Sequence, residues 1–287
     1  MQDLHIHFHA GPKDTPQVFI QKTSLAGVTG GAVFSIAPLG YGLEKGEDQR
    51  WQARAEFIID FTRQAPGFRP IFWIDPTDKD AVEQVHGVAE MGIAGFKVIC
   101  NHFYPVEGMK TYAAIAETGL PLIFHSGVLY NQQPSSDYNR PMSFECLMDV
   151  KGLKFSLAHI SWPWSAELVA LFGKLNYLDS VTPEGRSKMF LDFTPGTPPI
   201  FRRDAIRQVY MCGYRVKHRV LWGTDCLANH YNTEYAKYWA NLDKTIFDEI
   251  TAAPNIYRVA GQSEYDYADI WERATETNFD EFFDNKE

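Results

Sequence analysis

The chain has 287 residues, 45% of them hydrophobic and 22% charged, which suffices for one large core and excludes the disordered and fibrous classes. Its 27 basic and 36 acidic side chains give a formal charge of -9, so the basic footprint that a nucleic acid requires is missing. No apolar run approaches the ~20 residues that cross a bilayer, and the opening MQDLHIHFHAG has no signal-peptide pattern. The expectations are a cytoplasmic protein with no nucleic-acid or membrane partner.

The first predicted strand, Asp3 to Phe8, leads to a helix over Pro16 to Ala26, which Thr15 caps and Pro16 starts. Strand Gly31 to Ile36 is followed by helix Asp48 to Gln64, and strand Pro70 to Ile74 by helix Lys79 to Glu90, with Gly92 as its stop. Strand Ala94 to Ile99 precedes helix Met109 to Glu117, which Gly119 ends, and strand Leu120 to Phe124 precedes helix Ser143 to Val150. Strand Lys154 to Ala158, helix Ser165 to Lys174, strand Met189 to Phe193, helix Arg203 to Met211 and strand Arg219 to Trp222 complete the series. The strands start about 31 residues apart, the length of one strand, its crossover helix and their loops.

Eight near-continuous apolar strands alternating with helices predict a parallel sheet covered on both faces. No glycine-rich phosphate loop follows the first strand, which favours a closed (β/α)8 TIM barrel of α/β class over an open doubly wound sheet. One domain, residues 1–287, is expected, with 262–287 as an acidic, aromatic extension that packs on the barrel as an outer helix. Cys100, Cys146, Cys212 and Cys226 are scattered and form no CxxC pair, so they read as buried thiols.

Chemistry gathers at the strand ends. In Asp3-Leu4-His5-Ile6-His7 the period of two sets both imidazoles on one face, close enough to share a cation; His9 keeps the phase but falls beyond the strand. His125 ends the run Pro121 to Phe124, His159 ends Phe155 to Ala158, and Asp225 closes the run that starts at Val220. Taken singly, these are a capped turn, a loop histidine and an Asx turn. Taken together, they put four histidines and an aspartate on the carboxyl rim, where barrel enzymes build their sites. Three neutral imidazoles and a carboxylate can hold a divalent ion while leaving room for a water, whose pKa falls towards ~7 on zinc.

DLHIH, LIFHSG, FSLAH and WGTDC resemble the strand-end motifs of the amidohydrolase superfamily, in the amidohydrolase-related branch that includes aminocarboxymuconate-semialdehyde decarboxylase. APNIYRVAG, near the end, is similar to that branch's C-terminal segment. The resemblance implies a metal, usually zinc, on His5, His7, His125 and Asp225, with His159 at the catalytic or second-metal position. Asp225 then takes the proton of an attacking water, and His159 polarises a carbonyl or donates a proton. It also implies that a carboxylated Lys97 could bridge two metals. The plainer alternatives are a lysine paired with a buried carboxylate such as Asp75 or Asp192, or one that meets an anionic substrate. Dimerisation is suggested by the resemblance alone.

The substrate is expected to be a small molecule, with Lys97, Arg140, Trp162 and His230 foremost among its contacts, and with Tyr41, His102, Tyr104, Tyr130 and Trp164 as further loop candidates. The polar loop Gly127 to Arg140 reads either as a lid or as a solvated excursion. Three functions stay open: hydrolysis of an amide, lactone or ester; non-oxidative decarboxylation on the same site; and a barrel that binds without turnover. A pocket that works without metal is a further alternative.

Overall fold

The computed structural model describes residues 1–11, 13–39, 41, 48–182, 186–253 and 266–284. The strands are β1 (Gln2–His7), β2 (Gly30–Phe34), β3 (Phe68–Trp73), β4 (Gly95–Val98), β5 (Leu122–Phe124), β6 (Lys154–Leu157), β7 (Lys188–Asp192), β8 (Val220–Leu221) and β9 (Cys226–Leu227). All pair in parallel in the order β8-β7-β6-β5-β4-β3-β2-β1-β9. The predicted eighth strand is therefore split. Val220–Leu221 pairs with β7, Cys226–Leu227 pairs with β1, and the Leu4 N–H donates to the Trp222 carbonyl at 3.0 Å between them. The two ends of the sheet thus meet in one bent segment, and the fold is a TIM barrel.

The helices are α1 (Pro16–Leu25), α2 (Trp51–Arg63), α3 (Ala81–Met91), α4 (Met109–Thr118), α5 (Ser165–Val181), α6 (Pro199–Tyr210) and α7 (Thr233–Ala252). The expected caps operate: the Thr15 hydroxyl accepts from Val18 N–H, and Gly92 and Gly119 end α3 and α4 in left-handed backbone, at φ 100° and 72°. Two differences stand out. The segment predicted as helix Ser143 to Val150 is a 3-10 run, Pro141–Asp149, which a proline starts. The twenty-residue α7, absent from the sequence reading, begins at Asn232, whose side chain accepts from Tyr235 N–H.

Strand residues alternate between two apolar sets. Val33, Phe72, Phe96, Val98, Leu122, Phe124, Phe155, Leu157 and Leu191 pack outward with the helices. Ala32, Phe34, Ile71, Ile123, Phe190 and Leu221 fill the interior together with Leu4. The same alternation turns Lys97, His125 and Asp192 inward. The interior is closed from below by the chain's last turns, α8 (Ile270–Glu272), a π turn (Arg273–Thr277) and α9 (Asn278–Phe283), with Phe279, Phe282 and Phe283 joining the interior cluster. This segment was expected as an outer helix; it is the barrel's floor. Its acidic residues pair outward, Asp280 and Asp284 with Arg69 at 3.7 and 3.2 Å, while its phenylalanines point in. The motif at 253–261 lies outside the described residues but for its first residue, as do parts of the extension 262–287.

A buried ion pair joins α6 to α7. Arg202 Nε donates to Asp243 at 2.5 Å and Nη2 to its other oxygen at 2.9 Å; Nη2 also donates to the Phe193 carbonyl, and Trp222 Nε1 donates to Asp243 at 3.3 Å. Both side chains are fully buried, so each satisfies a charge that would otherwise be costly. Among the described residues, no helix is long and apolar enough to cross a membrane. All four cysteines are free, Cys100 and Cys226 buried and Cys146 and Cys212 partly so.

Candidate metal centre

The mouth of the barrel is where the strands' polar residues converge. His5 and His7 leave β1 with their ring centroids 5.1 Å apart; both lie edge-on to Phe34 at 4.8 Å, and Trp73 stands 5.4 Å from His7. His159 is 5.1 Å from His5 and 4.9 Å from His125, centre to centre. Asp225 Oδ1 lies 3.4 Å from His7 Nε2 and 3.7 Å from His5 Nε2. Among the described residues, donor atoms of His5, His159 and Asp225 fall within 4.8 Å of one another. That group includes His159 and leaves out two of the expected ligands: His7, whose Nε2 nonetheless lies 3.4 Å from Asp225 Oδ1, and His125, whose ring stands against that of His159.

Local backbone builds this arrangement. Asp225 sits at φ 59°, and the turn before it is fixed by Asp3, which is fully buried. The Asp3 carboxylate accepts from Thr224 N–H at 2.8 Å, Thr224 Oγ1 at 2.6 Å, His5 N–H at 3.0 Å and Tyr231 Oη at 3.2 Å. Burial pushes Asp3 up to about 6, with those hydrogen bonds acting against the rise. Gly223 is required here, because a Cβ would come within 2.5 Å of Thr194 and 3.0 Å of His5.

A second strained segment carries His159. His159, Ile160 and Ser161 all have positive φ, at 62°, 49° and 51°. The loop is tied at its base by a Ser126–Ser161 hydroxyl contact at 2.7 Å, by Val128 N–H donating to the Trp162 carbonyl at 2.8 Å, and by Gly127 N–H donating to Asn139 O at 3.0 Å. The loop Gly127 to Arg140 is thus anchored at both ends, and the Asn139 amide also donates to Cys100 O at 2.7 Å.

Electrostatics suit cation binding. Burial drives His5 and His125 well below the ordinary histidine range and His7 down to about 4, with neighbouring charges on Lys97 and other histidines adding to the drop for His5 and His125. At neutral pH the rings are therefore uncharged, as a ligand must be. Burial pushes the Asp225 carboxyl up, but the His7 hydrogen bond and the nearby cationic side chains, Lys97 among them, outweigh it, so the group stays below its usual range. Burial likewise lowers Lys97 to about 7, with Asp192 and Asp225 opposing.

His5, His7 and Asp225 are spaced as ligands of one tetrahedral divalent ion would be. Two ligands at about 2.0–2.1 Å from such an ion stand about 3.3 Å apart, close to the 3.4 and 3.7 Å observed between Asp225 and the two histidines. His125 Nε2 is buried and has no hydrogen-bond partner, as expected of a lone pair kept for a ligand.

A cavity of about 300 Å³ opens above these groups, lined by His125, Ser126, Val128, Tyr130, His159, Trp162, Pro195, Gly196 and Asp225. Of the expected substrate contacts, Trp162 lines it, stacked on Phe201 at 4.7 Å, and Lys97 lies beneath, with Nζ 3.1 Å from His5 Nε2. Tyr130 lines the cavity too. Arg140 pairs with Glu167 at 3.4 Å over the Trp164 ring, and His230 is exposed in the 3-10 turn Ala228–His230; neither lines the cavity. His102 lies beside Asp75 at 3.5 Å, and Tyr41 Oη donates to Ile99 O at 2.5 Å. The sequence reading missed Thr194 and Gly196 and gave Asp192 no role of its own. For Asp192 a signal existed: like Asp225, it is a carboxylate within an apolar strand.

Residues 3–253 match the family model described as Amidohydrolase. An uncharacterized TIM-barrel protein from Bordetella bronchiseptica is similar in structure, at a TM-score of 0.65 and 16% identity over 98% of this chain and 97% of that one. A protein described as a 2-pyrone-4,6-dicarboxylic acid hydrolase from Pseudomonas putida gives 0.56 and 14% over 95% and 97%. An amidohydrolase from Burkholderia multivorans gives 0.58 and 9% over 95% and 98%. No curated protein matches the sequence.

Proposed function

The chain belongs to the Amidohydrolase family, and from that premise we propose that it is a metal-dependent hydrolase of a small amide, lactone or ester. The observation that carries this reading is the meeting of His5, His159 and Asp225 within 4.8 Å, with His159 and Asp225 lining a cavity. His5, His7, His125 and Asp225 are the proposed ligands, and zinc is the proposed metal, given the imidazole-rich donor set. Such an ion, when bound, acidifies a water and polarises a substrate carbonyl.

The protein's own groups do the rest. Asp225 is an anion at neutral pH with 35% of its side-chain surface open, so it can take a proton from a water in the cavity and return it to the leaving group. His159 is oriented through its Nδ1. Its Nδ1 lies 3.0 Å from Pro195 O, a pure acceptor, so Nδ1 carries a proton and donates it there. With Nδ1 spent on that carbonyl, the ring meets the site through Nε2, where it can serve as a ligand or in proton transfer.

The test is elemental analysis of protein purified without added metal, followed by assays over a panel of esters, lactones, amides and unsaturated acids. About one equivalent of a divalent ion and hydrolysis lost on chelation are expected. Less than ~0.2 equivalents with hydrolysis surviving chelation overturns the reading. Carbon dioxide release without hydrolysis reassigns the same site to decarboxylation.

A further inference from the structure

Asp192, at the end of β7, is fully buried between two of the histidines. Its Oδ1 accepts three hydrogen bonds, from His159 N–H at 3.1 Å, Thr194 N–H at 3.1 Å and Thr194 Oγ1 at 2.6 Å. Its Oδ2 is buried with no hydrogen-bond partner, and so is His5 Nδ1; the two atoms lie 3.8 Å apart. A shift of under an ångström would join them, and each would otherwise keep the cost of an unsatisfied buried polar atom, about 1–3 kcal/mol.

The proton positions follow from the partners. The ammonium form of Lys97, with Nζ 3.1 Å from His5 Nε2, donates to that nitrogen, which leaves the His5 proton on Nδ1, facing Asp192 Oδ2. On the other side the Thr194 hydroxyl spends its proton on Asp192 Oδ1, so its oxygen, 2.8 Å from His159 Nδ1, can only accept from that ring. One carboxylate therefore faces His5 Nδ1 at 3.8 Å and reaches His159 through Thr194, beside the Pro195 carbonyl that takes the same Nδ1–H at 3.0 Å.

We propose that Asp192 is a positioning residue of this centre, holding the Nδ1–H tautomer of His5 and, through Thr194 and together with Pro195 O, that of His159, so that Nε2 of each ring is left to the site. The idea rests on the metal-site reading above, but its core, the placement of two protons, is a property of the metal-free protein. Asp192→Asn keeps the shape but can turn an amide N–H towards His5 Nδ1, which then favours the opposite tautomer. Ligand-orienting partners of this kind are worth 10–100-fold in metal affinity.

The experiment uses the full chain with zinc alone as probe. Zinc affinity is measured by chelator competition, and the histidine tautomers by nitrogen NMR of metal-free protein. For Asp192→Asn we expect a 10–100-fold weaker zinc site and loss of the Nδ1–H signature at His5. Thr194→Val should disturb His159 and leave His5 alone, and Thr194→Ser should restore the wild-type pattern; this pair also serves if Asp192→Asn fails to fold. Unchanged tautomers with unchanged zinc affinity in Asp192→Asn and Thr194→Val overturn the proposal. If wild-type protein binds no zinc but the tautomers respond as stated, the proton-placing role stands and the metal reading falls.

Discussion

Asp3 and Asp225 are linked through one residue: the Asp3 carboxylate holds both the backbone N–H and the hydroxyl of Thr224, at 2.8 and 2.6 Å, and Thr224 delivers Asp225 at φ 59°. One carboxylate is spent on building the turn that aims the other. Thr224→Val removes the hydroxyl and leaves a buried Asp3 oxygen short of a donor. The expected cost is about 1–3 kcal/mol of stability, read by urea unfolding, together with weaker zinc binding. A variant with wild-type midpoint and affinity would refute this.

The carboxylate at 225 and the first-strand histidine are predicted to be essential as ligands. In Asp225→Ala and His5→Ala, zinc content should drop from about one equivalent to below ~0.2, with activity reduced by at least about 10³-fold. Elemental analysis and assay on the same preparation check it; full metal occupancy in either variant contradicts it.

Gly196 tests how tightly His159 is seated. A Cβ at this position would lie 2.9 Å from His159 Cβ and 3.1 Å from Cγ, so Gly196→Ala must move the ring. A displacement of about 1 Å costs on the order of 10²-fold in turnover. We expect kcat to fall while the melting temperature changes by only a few degrees. Equal kcat would mean that the ring has room to yield.

Acid should unfold the metal-free protein through its histidines. His7 is held at about 4 against an ordinary value near 6.5, and His5 and His125 are lowered as well. Because the folded state resists protonation, their contribution is fully present above pH ~6.5 and is lost as pH falls towards ~4, on the order of 3 kcal/mol for His7 alone. Thermal melts across that window should show a steep loss that zinc moves to lower pH. A flat profile in metal-free protein rules this out.

The buried pair of Arg202 and Asp243 gives a stability prediction remote from the chemistry. Asp243→Ala strands a fully buried guanidinium and removes the acceptor of Trp222, so a loss of about 3–5 kcal/mol is expected. Urea denaturation measures it, and a loss below about 1 kcal/mol would mean that water or relaxation rescues the arginine.

Most of the barrel, and the rim positions of the site, could be read from the chain because each polar residue there interrupts an apolar run at its end. His125, His159 and Asp225 announce themselves that way, and His5 and His7 by their spacing. The rest depends on folding back. Thr194 and Gly196 are ordinary loop residues until the β7 loop lies against His159. The split of the eighth strand follows from the left-handed turn at Asp225, which no local pattern declares. Helix α7 starts among tyrosines and a tryptophan, weak helix formers whose packing decides the outcome. Phe279, Phe282 and Phe283 sit in an acidic stretch that suggests a solvated helix, and only the open end of the barrel explains them.

That floor reaches further than stability. Phe34 belongs to the cluster that Phe279, Phe282 and Phe283 complete, and its ring also meets His5 and His7 edge-on at 4.8 Å. The α9 phenylalanines and the imidazoles at the opposite opening are therefore joined through one apolar cluster, whose Phe34 ring touches both histidines. Loosening the chain's tail should be felt as blurred imidazole geometry a full barrel-length away, before the molecule itself comes apart.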